Sequence, residues 1–234
     1  MKTKQLPYKI LILFAVTIIS TLVTSCQAPM MVSSYKTIRT PVRGFLHPHE
    51  KPPTGYSGYG YVIFTRRLDI DDSDRWVKTC QSYIRSIEPI SVYSSLPSKS
   101  LSPTYWYGTN ELNKSSSDCK HLVAEYDYAR AKTILSAISS SRHPYLASTG
   151  PLLVAWSKPF EDTNSDEKAL VIDLSGFSDG EFDRIFGIWI YRISMDPRIW
   201  QSGLDLSLVK EAFRDVLLTR ADDFIKAIEK WPPL

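Results

Sequence analysis

The chain is short of the residues and patterns on which most recognisable chemistry depends. Among 234 residues there are four histidines, and the last is His143. Any serine beyond that point therefore cannot be followed by a histidine, which excludes the usual Ser-acid-His order of the α/β-hydrolases there. The phosphate-cradling Walker loop, the glycine-rich dinucleotide fingerprint and the His-Glu-x-x-His zinc motif are all missing, so those nucleotide and metal chemistries have no sequence support. Internal repeats and sustained heptads are absent too, which argues against a solenoid scaffold or a long coiled coil. The one long apolar stretch, from Ile10 to Val23, falls short of the roughly 17–20 residues that span a bilayer.

That stretch is nonetheless informative. Lys2, Lys4 and Lys9 precede it, and residues 1–25 contain no acid, which is the plan of a secretory signal peptide rather than of an uncleaved anchor. It ends in Val23-Thr24-Ser25-Cys26. These four residues resemble a bacterial lipobox, at which a preprotein is acylated on the cysteine and cut immediately before it. The resemblance covers only the N-terminus and names a processing class. It implies a mature protein that begins at Cys26 and is held to a membrane by its acyl chains, since more than one buried chain gives stable anchoring. Gln27 resembles the sorting position that, in Gram-negative lipoproteins, permits passage to the outer membrane facing the periplasm.

Removing residues 1–25 leaves 25 Lys and Arg against 25 Asp and Glu. The mature chain is then formally neutral, so its charge gives no argument for a nucleic-acid partner. With 43% apolar and 12% aromatic residues, the full sequence has the composition of a packed domain. Residues 26–57 carry Pro29, Pro41, Pro48, Pro52 and Pro53 without an apolar period, and read as a lipidated tether. Residues 58–234 then form one domain. His47, His49 and Glu50 lie on this tether, which offers no rigid frame for a metal. No metal or other cofactor is expected.

Two cysteines remain, Cys80 and Cys119, with 38 residues between them. In an exported chain an even pair reads as a disulfide, contributing about 3–4 kcal/mol through the unfolded state. Two buried thiols or a redox pair are the competing readings. Cys80 falls on an apolar stripe with Trp76, Val77, Tyr83, Ile84 and Ile87, which predicts a helix capped near Asp72-Ser73 and stopped before Pro89.

Tyr59 to Thr65 is aromatic and β-branched and predicts a strand. Leu152 to Trp156 and Ala169 to Leu174 predict two more, joined as an antiparallel hairpin. A second helix is expected from Ser117-Asp118 to about Ile138. A third opens at the capping box Ser178-Asp179-Gly180-Glu181 and carries Phe182, Ile185, Phe186, Trp189, Ile190 and Ile193. The fourth stripe begins at Ser207 and continues through Phe213 and Leu217 towards Ile228. The fold expected is α+β: a small, mainly antiparallel sheet packed by about four helices, with one disulfide.

Residues 89–117 are rich in Ser and Pro and read as a long loop pinned by the disulfide. Tyr105, Trp106 and Tyr107 within it are candidate ligand contacts, or else they pack the loop onto its own domain. Four residues are candidates for catalysis. Ser178 lies in Gly176-Phe177-Ser178-Asp179-Gly180, which resembles the nucleophile elbow of α/β-hydrolases over five residues, with His121 or His143 as the base it would need. The competing role is a helix cap. Asp127 and Arg130 are three apart on a helix, as an acid tuned by a cation or as a salt-bridged surface pair. Asp173 ends a buried strand, as a perturbed carboxylate or as a turn cap. Ser-x-x-Lys occurs four times with no Lys-Thr-Gly beside it, so the spacing alone carries no weight.

No catalytic set is complete. The leading expectation is a membrane-anchored envelope lipoprotein that acts as a non-enzymatic binding or accessory component and has a protein partner. The alternative is an envelope hydrolase acting on cell-wall, glycan or lipid substrate.

Overall fold

Two proline-bearing segments that read as tether and loop are strands, and they give the sheet half its pairing. The computed structural model describes residues 39–66, 73–114, 116–139, 150–163, 169–200 and 204–214. The signal segment, Cys26, Gln27, His143 and the end of the fourth apolar stripe lie outside the described residues.

The strands are β1 (Thr40–Leu46), β2 (Tyr59–Phe64), β3 (Leu101–Tyr107), β4 (Pro151–Trp156) and β5 (Leu170–Asp173). The helices are α1 (Ser73–Ser86), α2 (Cys119–Ala124), α3 (Tyr128–Ile138), α4 (Phe182–Ile188) and α5 (Leu206–Arg214). The α+β class, the helical packing and the disulfide are as the sequence leads one to expect. In the sheet, strand order is β1-β3-β2-β4-β5. The β2–β4–β5 part is antiparallel, while β1 and β2 flank β3 in parallel. A parallel pair needs a crossover, and α1 supplies it between β2 and β3.

The expected tether therefore ends before Thr40, and the expected long loop before Leu101. The prolines that disguise these strands sit where they remove nothing. Leu46 O accepts from Gly108 N, and Arg43 N donates away from β3 to Glu88 O. Even-numbered residues of β1 thus bond to β3 and odd-numbered ones face outward, so the missing N–H of Pro41 falls on the open edge. Pro103 precedes the first β2–β3 pair, Gly60 with Thr104, and costs no ladder bond there.

One face of the sheet carries α1 and α4. Phe64, Trp106 and Val62 point that way and meet Trp76, Tyr83, Phe186 and Trp189, all buried. Trp106 stacks on Tyr83 and meets Phe64 and Tyr126 edge-on. The polar tips in this layer are bonded: Tyr83 OH donates toward Gly44 O and Thr104 O, Trp106 Nε1 to Leu122 O and Trp189 Nε1 to Thr104 Oγ1. Cys80 on α1 and Cys119 at the start of α2 are disulfide-bonded, their Cα atoms 5.6 Å apart, which ties the crossover helix to α2.

The expected second helix is two. At 125–127 the chain leaves α2 to run beside the end of β3, with Thr109 N donating to Glu125 O and Asp127 N to Tyr107 O. Tyr126 is the reason: its buried hydroxyl accepts from Phe64 N and donates to Val62 O. Asp127 then caps α3. The capping box at Ser178 and Glu181 opens the third apolar stripe as expected. Beyond Ile188 this stripe continues as a π turn, Trp189–Ser194.

Candidate functional site

The residues singled out for catalysis fall into separate networks. Ser178 is exposed, and its hydroxyl and backbone N–H both donate to Glu181 Oε2, at 2.7 and 2.8 Å. It is the helix cap. Its neighbour Asp179 pairs with Arg75 and Lys78 of α1, so this corner belongs to the helical layer. Asp173 accepts from Ser175 N at 2.8 Å and caps the turn after β5. Asp127 accepts the backbone N–H of Arg130 at 3.0 Å, and the two side chains do not form the expected ion pair.

Arg130 instead reaches across to the other face of the sheet, where its guanidinium lies 4.3 Å from the Tyr107 ring centre. It donates to His47 O, Glu50 O and Glu161 Oε1, at 2.8, 2.6 and 2.5 Å. This is a clamp that fastens residues 47–50 and 160–162 to α3, with a largely buried ion pair at its centre. Tyr107 lies three strands from Asp173, since Ile63 and Leu152 occupy the intervening places. At roughly 4.8 Å per strand the separation is about 14 Å. Arg130 and Ser178 stand on opposite sides of the sheet.

His47 and Glu50 also have structural duties, while His49 is exposed. His47 Nδ1 lies 2.9 Å from Thr109 O, and Glu50 Oε2 accepts from His47 N. Among the described residues no group of His, Cys, Asp and Glu side chains is arranged to hold a metal ion.

Tyr105, Trp106 and Tyr107 occupy the sheet and not a surface loop, with exposures of 3%, 0% and 0%. Trp106 is core. Tyr105 and Tyr107 are different: they point away from α1, and their buried hydroxyls have no hydrogen-bond partner. Burial pushes both phenols well above their usual range, so both remain protonated donors. A buried hydroxyl without a partner carries a real desolvation cost.

Tyr105 also lines a cleft of about 520 Å³ at the outer edge of β1. The path of its ring follows from Gly44, its register partner. A Cβ on Gly44 would stand 2.6 and 2.8 Å from two ring carbons of Tyr105. Only glycine lets the phenol ring lie across the edge strand, beside the cleft that Tyr105 lines. Phe45, Leu46, Pro53, Pro89 and Ile90 supply apolar wall, and Lys114 and Glu50 stand together at the rim, 2.6 Å apart. For the Glu50 carboxyl, burial pulls upward, but hydrogen bonds from Lys114 and His47 N outweigh it and hold it below the usual carboxylate range. Glu50 and Lys114 neutralise each other, while Arg43, also in the lining, donates to Ile84 O and Ile87 O.

A second depression, about 480 Å³, lies over the Arg130 clamp and includes Lys51, Asp127 and Phe160. Arg130 donates there to three acceptors, and Glu161 Oε2 is buried without a partner. The β1 cleft, the larger of the two, adds an open strand edge and is taken as the candidate for a ligand. Gly44 and Phe45 were not singled out by the sequence. The available signal was a glycine inside Val42-Arg43-Gly44-Phe45-Leu46, which marks close approach of a neighbouring chain once the segment is read as a strand. Comparison with known protein families, with curated proteins and with solved structures finds no match, so the geometry of this cleft carries the functional reading by itself.

Proposed function

We propose that this chain is a lipid-anchored envelope protein, held to the outer membrane through Cys26 and facing the periplasm, that acts by binding an envelope protein partner without catalysing a reaction. The observation that carries the binding reading is the β1 cleft: apolar walls, a Glu50–Lys114 pair at the rim and an unpartnered Tyr105 hydroxyl. Such a site offers contacts for recognition. The compartment reading draws on Val23-Thr24-Ser25-Cys26 and on the paired Cys80 and Cys119, because structural disulfides persist in exported proteins.

Changing Cys26 to Ala is expected to abolish labelling by a palmitate analogue and to leave unprocessed precursor. In a Gram-negative host, Gln27→Asp is expected to hold the lipidated protein in the inner membrane. Unchanged labelling and cleavage of Cys26→Ala would remove the anchor from the account. Partner binding is read separately, by a photo-reactive residue at Ser91 on the cleft wall: one envelope protein should be captured reproducibly in cells, and only by the crosslinkable variant.

A further inference from the structure

We infer that the outer edge of β1 takes an extended segment of a partner protein as an added strand, read by the backbone N–H and C=O of Phe45 and by the Tyr105 hydroxyl. This rests on the binding reading above and specifies its mode. The odd-numbered residues of β1 turn their backbone groups away from β3. Arg43 N is used, donating 2.8 Å to Glu88 O, and Arg43 pairs with Pro89 as an isolated parallel bridge. Residues 90–93 then wind into a 3-10 turn and leave the edge. The next outward pair, on Phe45, meets no backbone partner across that edge among the described residues. It opens onto the cleft, which Phe45 lines.

An incoming main chain suits each of these features. Its carbonyl and N–H meet those of Phe45, and a further carbonyl accepts from Tyr105, which lies beside Phe45 across Gly44. The Glu50–Lys114 pair is engaged within itself, and Arg43 in the same wall donates to Ile84 O and Ile87 O, so the open Phe45 backbone is what an incoming chain meets there. Side chains of an added strand alternate about its axis, and apolar ones find cover nearby. Val92 and Leu96, on the segment that continues the cleft wall, are 60% and 39% exposed. They are two of the three large hydrophobic side chains exposed among the described residues.

The test uses the full chain in detergent micelles and a phage library of random ten-residue peptides. Selected peptides are titrated against the wild type and against Tyr105→Phe, while the exchange of the Phe45 amide is followed by hydrogen exchange. The expected result is slowed exchange at Phe45 on binding and affinity roughly fivefold weaker for Tyr105→Phe, the loss of one neutral hydrogen bond. Tyr105→Phe removes no bond from the free protein, so its folding is not at stake. The inference is overturned if the library yields no binder, or if its binders leave Phe45 exchange unchanged and bind both proteins equally. In that event capture of an envelope protein from Ser91 would keep the binding reading and discard only the strand-addition mode.

Discussion

On the helix-covered face of the sheet the hydroxyls of Tyr83 and Tyr126 and the indoles of Trp106 and Trp189 all reach partners, whereas on the opposite face the equally buried hydroxyls of Tyr105 and Tyr107 reach none. Among the described residues, Trp76 Nε1 and Arg43 Nε break the first pattern. Tyr59 and Tyr61 break the second: their buried hydroxyls, on the Tyr105 face, bond to Pro53 O and Phe160 N, where those residues cover them. The difference is not one of residue type, since both faces use Tyr and Trp. It lies in what covers them. Helices α1 and α4 present continuous apolar stripes to the first face, and the polar tips there bond to strand carbonyls, to Thr104 Oγ1 and to Leu122 O of α2. The second face is met by the clamp at Arg130 and by the segments it fastens. Hydrogen bonds completed within a fold stabilise it, and buried groups left incomplete are available to a ligand.

The comparison can be broken most forcefully at its stable side. Trp106→Ala removes a fully buried ring from contact with Tyr83, Phe64 and Tyr126, and is expected to cost about 4 kcal/mol of unfolding free energy in a denaturant titration. A loss below about 1 kcal/mol would mean that the helical face is not where stability resides. Arg130→Ala tests whether the second face is held by its clamp. It strands Glu161 and frees the His47 and Glu50 carbonyls, for an expected loss of about 3 kcal/mol, with faster amide exchange over residues 47–50.

The smallest effect concerns the cleft rim. The Glu50 carboxyl titrates lower in the folded protein than in the unfolded chain. Its contribution is therefore fully present above the ordinary carboxylate pKa and is lost as pH falls through the lowered folded value. Both Glu50 and Lys114 are about two-fifths exposed, at 41% and 42%, so the contribution is at most about 1 kcal/mol. Comparing Glu50→Gln with wild type from pH 7 to pH 3 should show a stability difference that closes over that interval.

The helical face was largely legible in the sequence. The stripes beginning at Trp76 and Phe182 declare themselves by period, and the capping box at Ser178 gives a start signal for the second of them. Cys80 and Cys119 could be paired from compartment and count. The hairpin of β4 and β5 showed through its apolar runs. The strands β1 and β3 did not, because Pro41 and Pro103 mark breaks to any local reading. Only the pairing register shows that neither proline removes a ladder bond. The cleft depends on that same register: Gly44 has meaning only once Tyr105 is known to lie beside it. Asp127 and Arg130 looked like a pair because they are three apart, yet Arg130 finds better acceptors on segments distant in sequence.

Denaturant unfolding of Tyr83→Phe and Tyr105→Phe, measured side by side, separates a hydroxyl that holds the fold from one that does not. Each change deletes one buried hydroxyl from a tyrosine near Gly44. Tyr83→Phe is expected to lose about 1 kcal/mol, because Gly44 O and Thr104 O lose its hydrogen bond while keeping their ladder donors. Tyr105→Phe should hold or raise stability, because its hydroxyl contributes no bond to the unliganded fold. If Tyr105→Phe lost as much as Tyr83→Phe, its hydroxyl would belong to the structure and would not be held in reserve for a ligand.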